Sequence, residues 1–322
     1  MEEDFDLENP ITIDSDPIPS LFASESDHMT SQTYSQSFIN RDADASVRRD
    51  TISFILKSQF SFDPFVAYLA VNYLDRFLSK QGIPKSVPWI LKLLSITCTS
   101  LAAKMKKSTF SLTSFQSEEG IIFDTQTIQR MELLILGALK WRMRSVTPFA
   151  FLLFFLSFFK RNDPPLKQAL KARATEIVFK AQNEVKILEY KPSVIAASAL
   201  LSASHELFPL QFPCFRKAIS SCVYINKEKL LDCYNLMQGV VMDDYESILL
   251  DEVWSSDTPV NVLDRHSLSL ESEKTSCISI GCAVTRSEAG TKKRKISDFC
   301  CNNSSSSSNE TFRHLSQQIQ HC

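Results

Sequence analysis

Four charged residues interrupt otherwise apolar, helix-patterned stretches: Arg48, Asp75, Lys104 and Glu132. An arginine and a carboxylate can form a bidentate pair. An ammonium and a carboxylate side by side offer a donor and an acceptor, which suits main-chain peptide groups that need both. This is recognition chemistry. Each charge also has a plainer reading: Lys104 at a helix C-terminus favours the dipole, Glu132 and Arg130 can be solvated, and Asp75 can neutralise Arg76. Catalytic constellations are missing from the sequence. It has no glycine-rich phosphate loop, no HExxH and no paired metal spacing, and His28, His205, His266, His314 and His321 are dispersed. A non-enzyme without cofactor or metal is expected.

The elements that carry these charges follow from composition and period. Six glycines and a 44% hydrophobic content over 322 residues disfavour sandwiches, barrels and nucleotide folds and favour helices with real cores. A formal net charge of −2 gives no overall field for nucleic acid or an anionic membrane, so a protein partner is expected. The most apolar run, Phe149 to Phe159, is shorter than the roughly 20 residues a bilayer span needs, and no membrane segment is expected. Nine cysteines without CxxC pairs read as reduced thiols of a cytosolic or nuclear protein.

Residues 1–44 are acidic and rich in Ser, Asp and Pro, and are expected to be a disordered N-terminal segment. From Val47 to about Ile248, apolar-periodic segments follow one another behind helix-start signals. Asp63-Pro64 opens 65–78, Val87-Pro88 opens 89–105, and Asp124 or Thr125 opens 128–141. Thr147-Pro148 opens the Phe-rich helix, Asp163-Pro164 opens 166–181, Pro192 opens 193–205, and Asn226 opens 229–241. The segments 89–103 and 193–204 are nearly free of charge and rich in small residues, which predicts two central helices, each surrounded by its neighbours. Their spacing predicts an all-α chain of two tandem five-helix bundles, 45–145 and 146–250. Residues 251–322 are expected to be a disordered Ser-rich tail with a basic cluster, Lys292, Lys293, Arg294 and Lys295, read as a nuclear-import signal.

The segments Arg48 to Leu56, AYLAVNYLDRFLS (67–79), LAAKM (101–105) and TIQRMELLILGALKWRMRSVTPFAF (127–151) resemble the cyclin box, most closely that of plant D-type cyclins. YKPSVIAASALLSAS (190–204) extends the resemblance more loosely into the second box. The resemblance implies two cyclin-box bundles and a regulatory subunit that binds and activates a cyclin-dependent Ser/Thr kinase at the G1/S transition. It implies that Arg48 and Asp75 tie the first helix to the second and that Leu93 packs the central helix. Lys104 and Glu132 would project onto the kinase. It also implies a retinoblastoma-related protein as substrate of the complex, kinase inhibitors as further partners, and nuclear action with a cytoplasmic pool.

The chain departs from the family in three places. Lys106 and Lys107 stand where relatives usually carry acidic residues, and are expected at the edge of the kinase contact, where they tune it. The LxCxE motif is missing from the N-terminal segment, which predicts weaker direct binding to a retinoblastoma-related protein. Val47, Thr51 and Phe54 replace larger apolar residues in the substrate-docking patch, which should be shallower. Two rival readings stay open: a cyclin that binds a kinase but activates it weakly, and a cyclin-fold transcription regulator, which would be expected to show a basic face.

Overall fold

The computed structural model describes residues 18–39, 42–57, 63–82, 88–108, 116, 122–160 and 163–255. Every regular element among them is helical. Three short elements come first: α1 (Ile18–Ser24), a 3-10 turn (Glu25–His28) and α2 (Gln32–Ile39). The first bundle follows with α3 (Asp42–Lys57), α4 (Pro64–Gln81), α5 (Pro88–Met105) and α6 (Thr125–Ala138). The second contains α7 (Phe149–Leu156), α8 (Pro164–Ala181), a 3-10 turn (Val185–Glu189), α9 (Pro192–Leu207), α10 (Phe212–Ser220) and α11 (Lys227–Ser255).

The local chemistry of the helix starts is visible. Asp63 and Asp124 accept from the amides of Phe65 and Gln126 at 2.9 and 3.0 Å, and Asn226 accepts from Glu228 and Lys229. Each cap satisfies donors that a first helical turn leaves without partners. Proline opens α4, α8 and α9, where its missing N–H costs nothing.

The charge-free helices α5 and α9 are the centres of the two bundles. In α5 the positions from Leu93 to Ala103 are all buried, and the hydroxyls of Thr97 and Thr99 return hydrogen bonds to Leu93 and Ser95 carbonyls. In α9 every residue from Pro192 to Ser204 is buried. Small side chains let α4 and α6 close on α5, and α7, α8 and α10 on α9.

The N-terminal segment requires a correction to the expected disorder. Residues 18–39 are helical, and Phe22, Tyr34 and Phe38 are buried, the first in the second core and the other two in the first. Glu25, 1% exposed, accepts from the Ser193 amide at 3.0 Å and the Ser193 hydroxyl at 3.1 Å, capping the start of α9. Apolar burial by three aromatic anchors offsets the ordering entropy that the polar composition otherwise leaves uncompensated. Residues 1–17 and 256–322, with Lys292, Lys293, Arg294 and Lys295, lie outside the described residues.

Candidate functional site

The polar residues of the first bundle fall into two groups. Arg48 on α3 donates to both carboxylate oxygens of Asp75 on α4, Nε to Oδ1 and Nη2 to Oδ2, each at 2.9 Å. The same guanidinium donates to the carbonyls of Gln182 (3.0 Å) and Asn183 (3.2 Å), at the C-terminal end of α8 in the second bundle. The Tyr34 hydroxyl adds a third bond to Asp75 at 3.0 Å. Arg48 therefore fastens α3 to α4 and the first bundle to the second, where carbonyls left over at a helix end accept a cation well. Burial pulls the Arg48 guanidinium down, but the Asp75 carboxylate outweighs it and holds it above its usual value. Burial and the same carboxylate push the Tyr34 phenol up, so it remains a donor.

Arg76 does not turn to Asp75. It donates to the Ser145 hydroxyl at 2.9 Å and the Arg142 carbonyl at 3.1 Å, and burial pushes its guanidinium down to about 10. Leu93 is fully buried within the first core.

The second group faces outward. Lys104, in the last turn of α5, sets Nζ 2.6 and 2.7 Å from the two oxygens of Glu132 on α6, and the Ser100 hydroxyl donates to the same carboxylate at 2.8 Å. The Lys104 side chain is 62% exposed and that of Glu132 only 11%. The carboxylate is thus fixed by the fold, while the ammonium reaches solvent with donor capacity left. Ser100, Ala103, Thr125 and Ile128 continue this surface into a cleft of about 250 Å³.

Lys107 borders that cleft, held in the left-handed region at φ 51 by the turn that ends α5, in which the Ser108 amide donates to the Ala103 carbonyl. The same turn directs Lys106 elsewhere. Its Nζ lies 3.5 Å from the Asp63 carboxylate and 5.1 Å from the centroid of the Phe65 ring, with a side chain 16% exposed. Lys106 therefore does not border the cleft with Lys107: it is packed against the capped start of α4, and consecutive residues in such a turn point to different elements.

The three residues of the expected docking patch on α3 differ in exposure. Thr51 is buried with its hydroxyl bonded to the Val47 carbonyl at 2.6 Å, while Val47 and Phe54 are both partly exposed, Phe54 with one side packed against the first core. No helix among the described residues is long and apolar enough to cross a membrane, and no cluster of His, Cys, Asp and Glu among them could hold a metal ion.

Sequence reasoning missed Glu25 and the inter-bundle reach of Arg48. A buried acid in an acidic, serine-rich stretch carries no local signal, and the Arg48 carbonyl partners lie far along the chain.

Comparison with known proteins fits this architecture. The cyclin N-terminal domain model matches residues 17–144 and the cyclin C-terminal domain model residues 146–254, so the first match includes the N-terminal helices. The chain is 45% identical over 306 residues to putative cyclin-D6-1 of Arabidopsis thaliana, covering 90% of this chain and 99% of the relative. It is 40% identical to cyclin-D6-1 of Oryza sativa subsp. japonica, with 89% of each covered. The fold is similar to that of a viral cyclin from herpesvirus saimiri, at 21% identity and a TM-score of 0.51 over 62% of this chain and 85% of that one. Two bundles in tandem, an arginine–aspartate tie and plant relatives aligned over nearly the whole length converge on one assignment: the chain belongs to the cyclin family, among its plant D-type members.

Proposed function

We propose that this chain binds and activates a cyclin-dependent Ser/Thr protein kinase, with Lys104 and Glu132 as the central polar contact. The observation that carries this reading is the fixed, outward-facing Lys104–Glu132 pair beside an open cleft. A buried, preoriented carboxylate and a solvent-reaching ammonium match main-chain groups of a partner helix or strand. Activation is a population shift: the kinase samples inactive arrangements, and the cyclin binds the active one better while moving little itself. The complex then phosphorylates substrates that include a retinoblastoma-related protein, without an LxCxE anchor, and drives the G1/S transition and cell division. It acts in the nucleus, directed by Lys292, Lys293, Arg294 and Lys295, and kinase inhibitors bind the assembled complex.

Purification with candidate kinases followed by a phosphotransfer assay tests the reading. Wild-type protein is expected to retain and activate a kinase, and the Lys104→Ala, Glu132→Ala double variant to lose both. Kinase retention by the double variant overturns the site. Retention without phosphotransfer by the wild type replaces activation with simple binding.

A further inference from the structure

The second bundle carries an apolar groove that the kinase-binding reading does not use. Phe159 and Phe215, both buried, form its floor; Phe158, Leu210 and Cys214 line it with Lys160, enclosing about 360 Å³. Leu210 is 89% exposed, which is unusual for a leucine beside two buried phenylalanines. Lys217 follows Cys214 by three residues on α10, which puts the two on one helix face. Among the described residues no carboxylate pairs with Lys160 or Lys217. Such a groove suits an occupant that is apolar at its anchors and acidic around them.

The chain itself contains one. Residues 2–8 read Glu-Glu-Asp-Phe-Asp-Leu-Glu, two apolar side chains set among five acids. This stretch lies outside the described residues and joins the fold at Ile18, which packs with Leu21 and Phe22 against the second core. The Phe22 ring meets Phe154 at 5.6 Å, and Phe154 meets Phe158 of the groove at 5.1 Å. Ten residues lie between Leu7 and Ile18, and the eleven Cα-to-Cα steps reach up to about 36 Å when extended. The occupant is therefore tethered close to the groove, with the opposite charge.

We propose that residues 2–8 fold back onto this groove, with Phe5 and Leu7 over Phe159 and Phe215 and the flanking carboxylates on Lys160 and Lys217. The N-terminal segment would then cover the exposed apolar surface of the second bundle in the free cyclin.

Cys214 is an exposed thiol in the groove and reports its cover directly. The test measures the alkylation rate of Cys214 in the full-length chain, by mass spectrometry of its own peptide. A tether gives a millimolar effective concentration, which against an intrinsic Kd of about 0.1 mM protects about tenfold. Phe5→Asp with Leu7→Asp is expected to raise the rate about tenfold. Lys160→Glu with Lys217→Glu should raise it similarly, and adding Asp4→Lys and Asp6→Lys should bring it back down. A wild-type rate equal to that of the Phe5→Asp, Leu7→Asp variant overturns the proposal. Protection that grows with protein concentration also overturns it, assigning the groove to a second copy of the chain.

Discussion

In the first bundle Arg48, Asp75, Arg76 and Glu132 are buried, whereas among residues 146–160 and 163–242 of the second bundle no charged side chain is. The second core is instead built on rings: Phe149 meets Phe65, Tyr68 and Phe179 at 4.7, 4.9 and 5.1 Å, and Phe155 lies against Phe154 at 5.0 Å. Its central helix buries hydroxyls of Ser193, Ser198, Ser202 and Ser204 and nothing more polar. The two bundles share a topology and differ in what they must specify. Aromatic packing is tolerant of direction and supplies stability in bulk. Buried charges contribute little net stability against an apolar replacement but fix one geometry, because every alternative leaves them without partners. The bundle that presents a directed polar contact is the one that contains them.

The sharpest way to break that contrast is at Arg48. Arg48→Ala leaves a buried carboxylate and two carbonyls short of partners, and a loss of about 3–5 kcal/mol in urea unfolding is expected. Phe155→Ala in the second core should cost a similar 3–5 kcal/mol, but by leaving a cavity. Double replacement separates the two causes. Arg48→Met with Asp75→Leu should recover much of the loss, since the penalty belongs to the unpaired partner. If that double variant is no more stable than Arg48→Ala, the pair contributes stability of its own and the contrast between the bundles weakens.

The next effect concerns binding. Lys104→Ala should change stability by about 1 kcal/mol or less, because the lysine is largely exposed. Kinase affinity should fall by about 2–5 kcal/mol, since truncating one member of a desolvated charged contact leaves the other unpaired. Titration calorimetry and urea unfolding on the same variant read the two quantities separately. A stability loss as large as the affinity loss would make the pair a structural tie like Arg48–Asp75, and erase the division within the first bundle.

Much of this architecture is written locally in the sequence, and the exceptions share a cause. Asp63-Pro64, Asp124 and Asn226 mark helix starts because a cap is a contact between residues two or three apart. Helix ends are harder. The period of α6 runs on to Trp141, yet the helix stops at Ala138, and Lys140 and Trp141 take φ values of 54 and 59 without a glycine to signal it. The side-chain pairing of Lys104 with Glu132 and the turning of Lys106 to Asp63 depend on how α4, α5 and α6 pack, which no local window contains. The N-terminal helices are illegible for the same reason. Phe22, Tyr34 and Phe38 look like isolated aromatics in a polar stretch until the two cores are present to receive them.

Glu25 extends the comparison to that segment, as a buried charge placed on the second bundle from outside it. Glu25→Ala removes the acceptor for the Ser193 amide and hydroxyl, and a loss of about 1–2 kcal/mol is expected in thermal or urea unfolding. Glu25→Gln keeps an acceptor and should lose less. An Ala variant as stable as wild type would show that the aromatic anchors alone hold residues 18–39.

The smallest effect belongs to His28, at the point where the N-terminal segment meets the first bundle. Burial, and then the positive charge of Arg76, lower its imidazole from 6.5 to about 4; Asp27 opposes the shift, and Arg142 adds to it. The folded state therefore resists a proton that the unfolded chain accepts. Above pH 6.5 both states are neutral and the contribution to stability is complete; as the pH falls toward 4 the unfolded chain alone gains the proton, and the contribution is lost. Because the ring is only partly buried, the loss at pH 5.5 should stay below about 1 kcal/mol. His28→Gln removes the titration without adding charge. The difference in unfolding free energy between wild type and this variant, followed from pH 7.5 to 5.0, should shift steadily against the wild type below pH 6.5. A difference that stays constant across this range would mean that His28 protonates equally well in the folded chain, and that the join between segment and bundle is open to water.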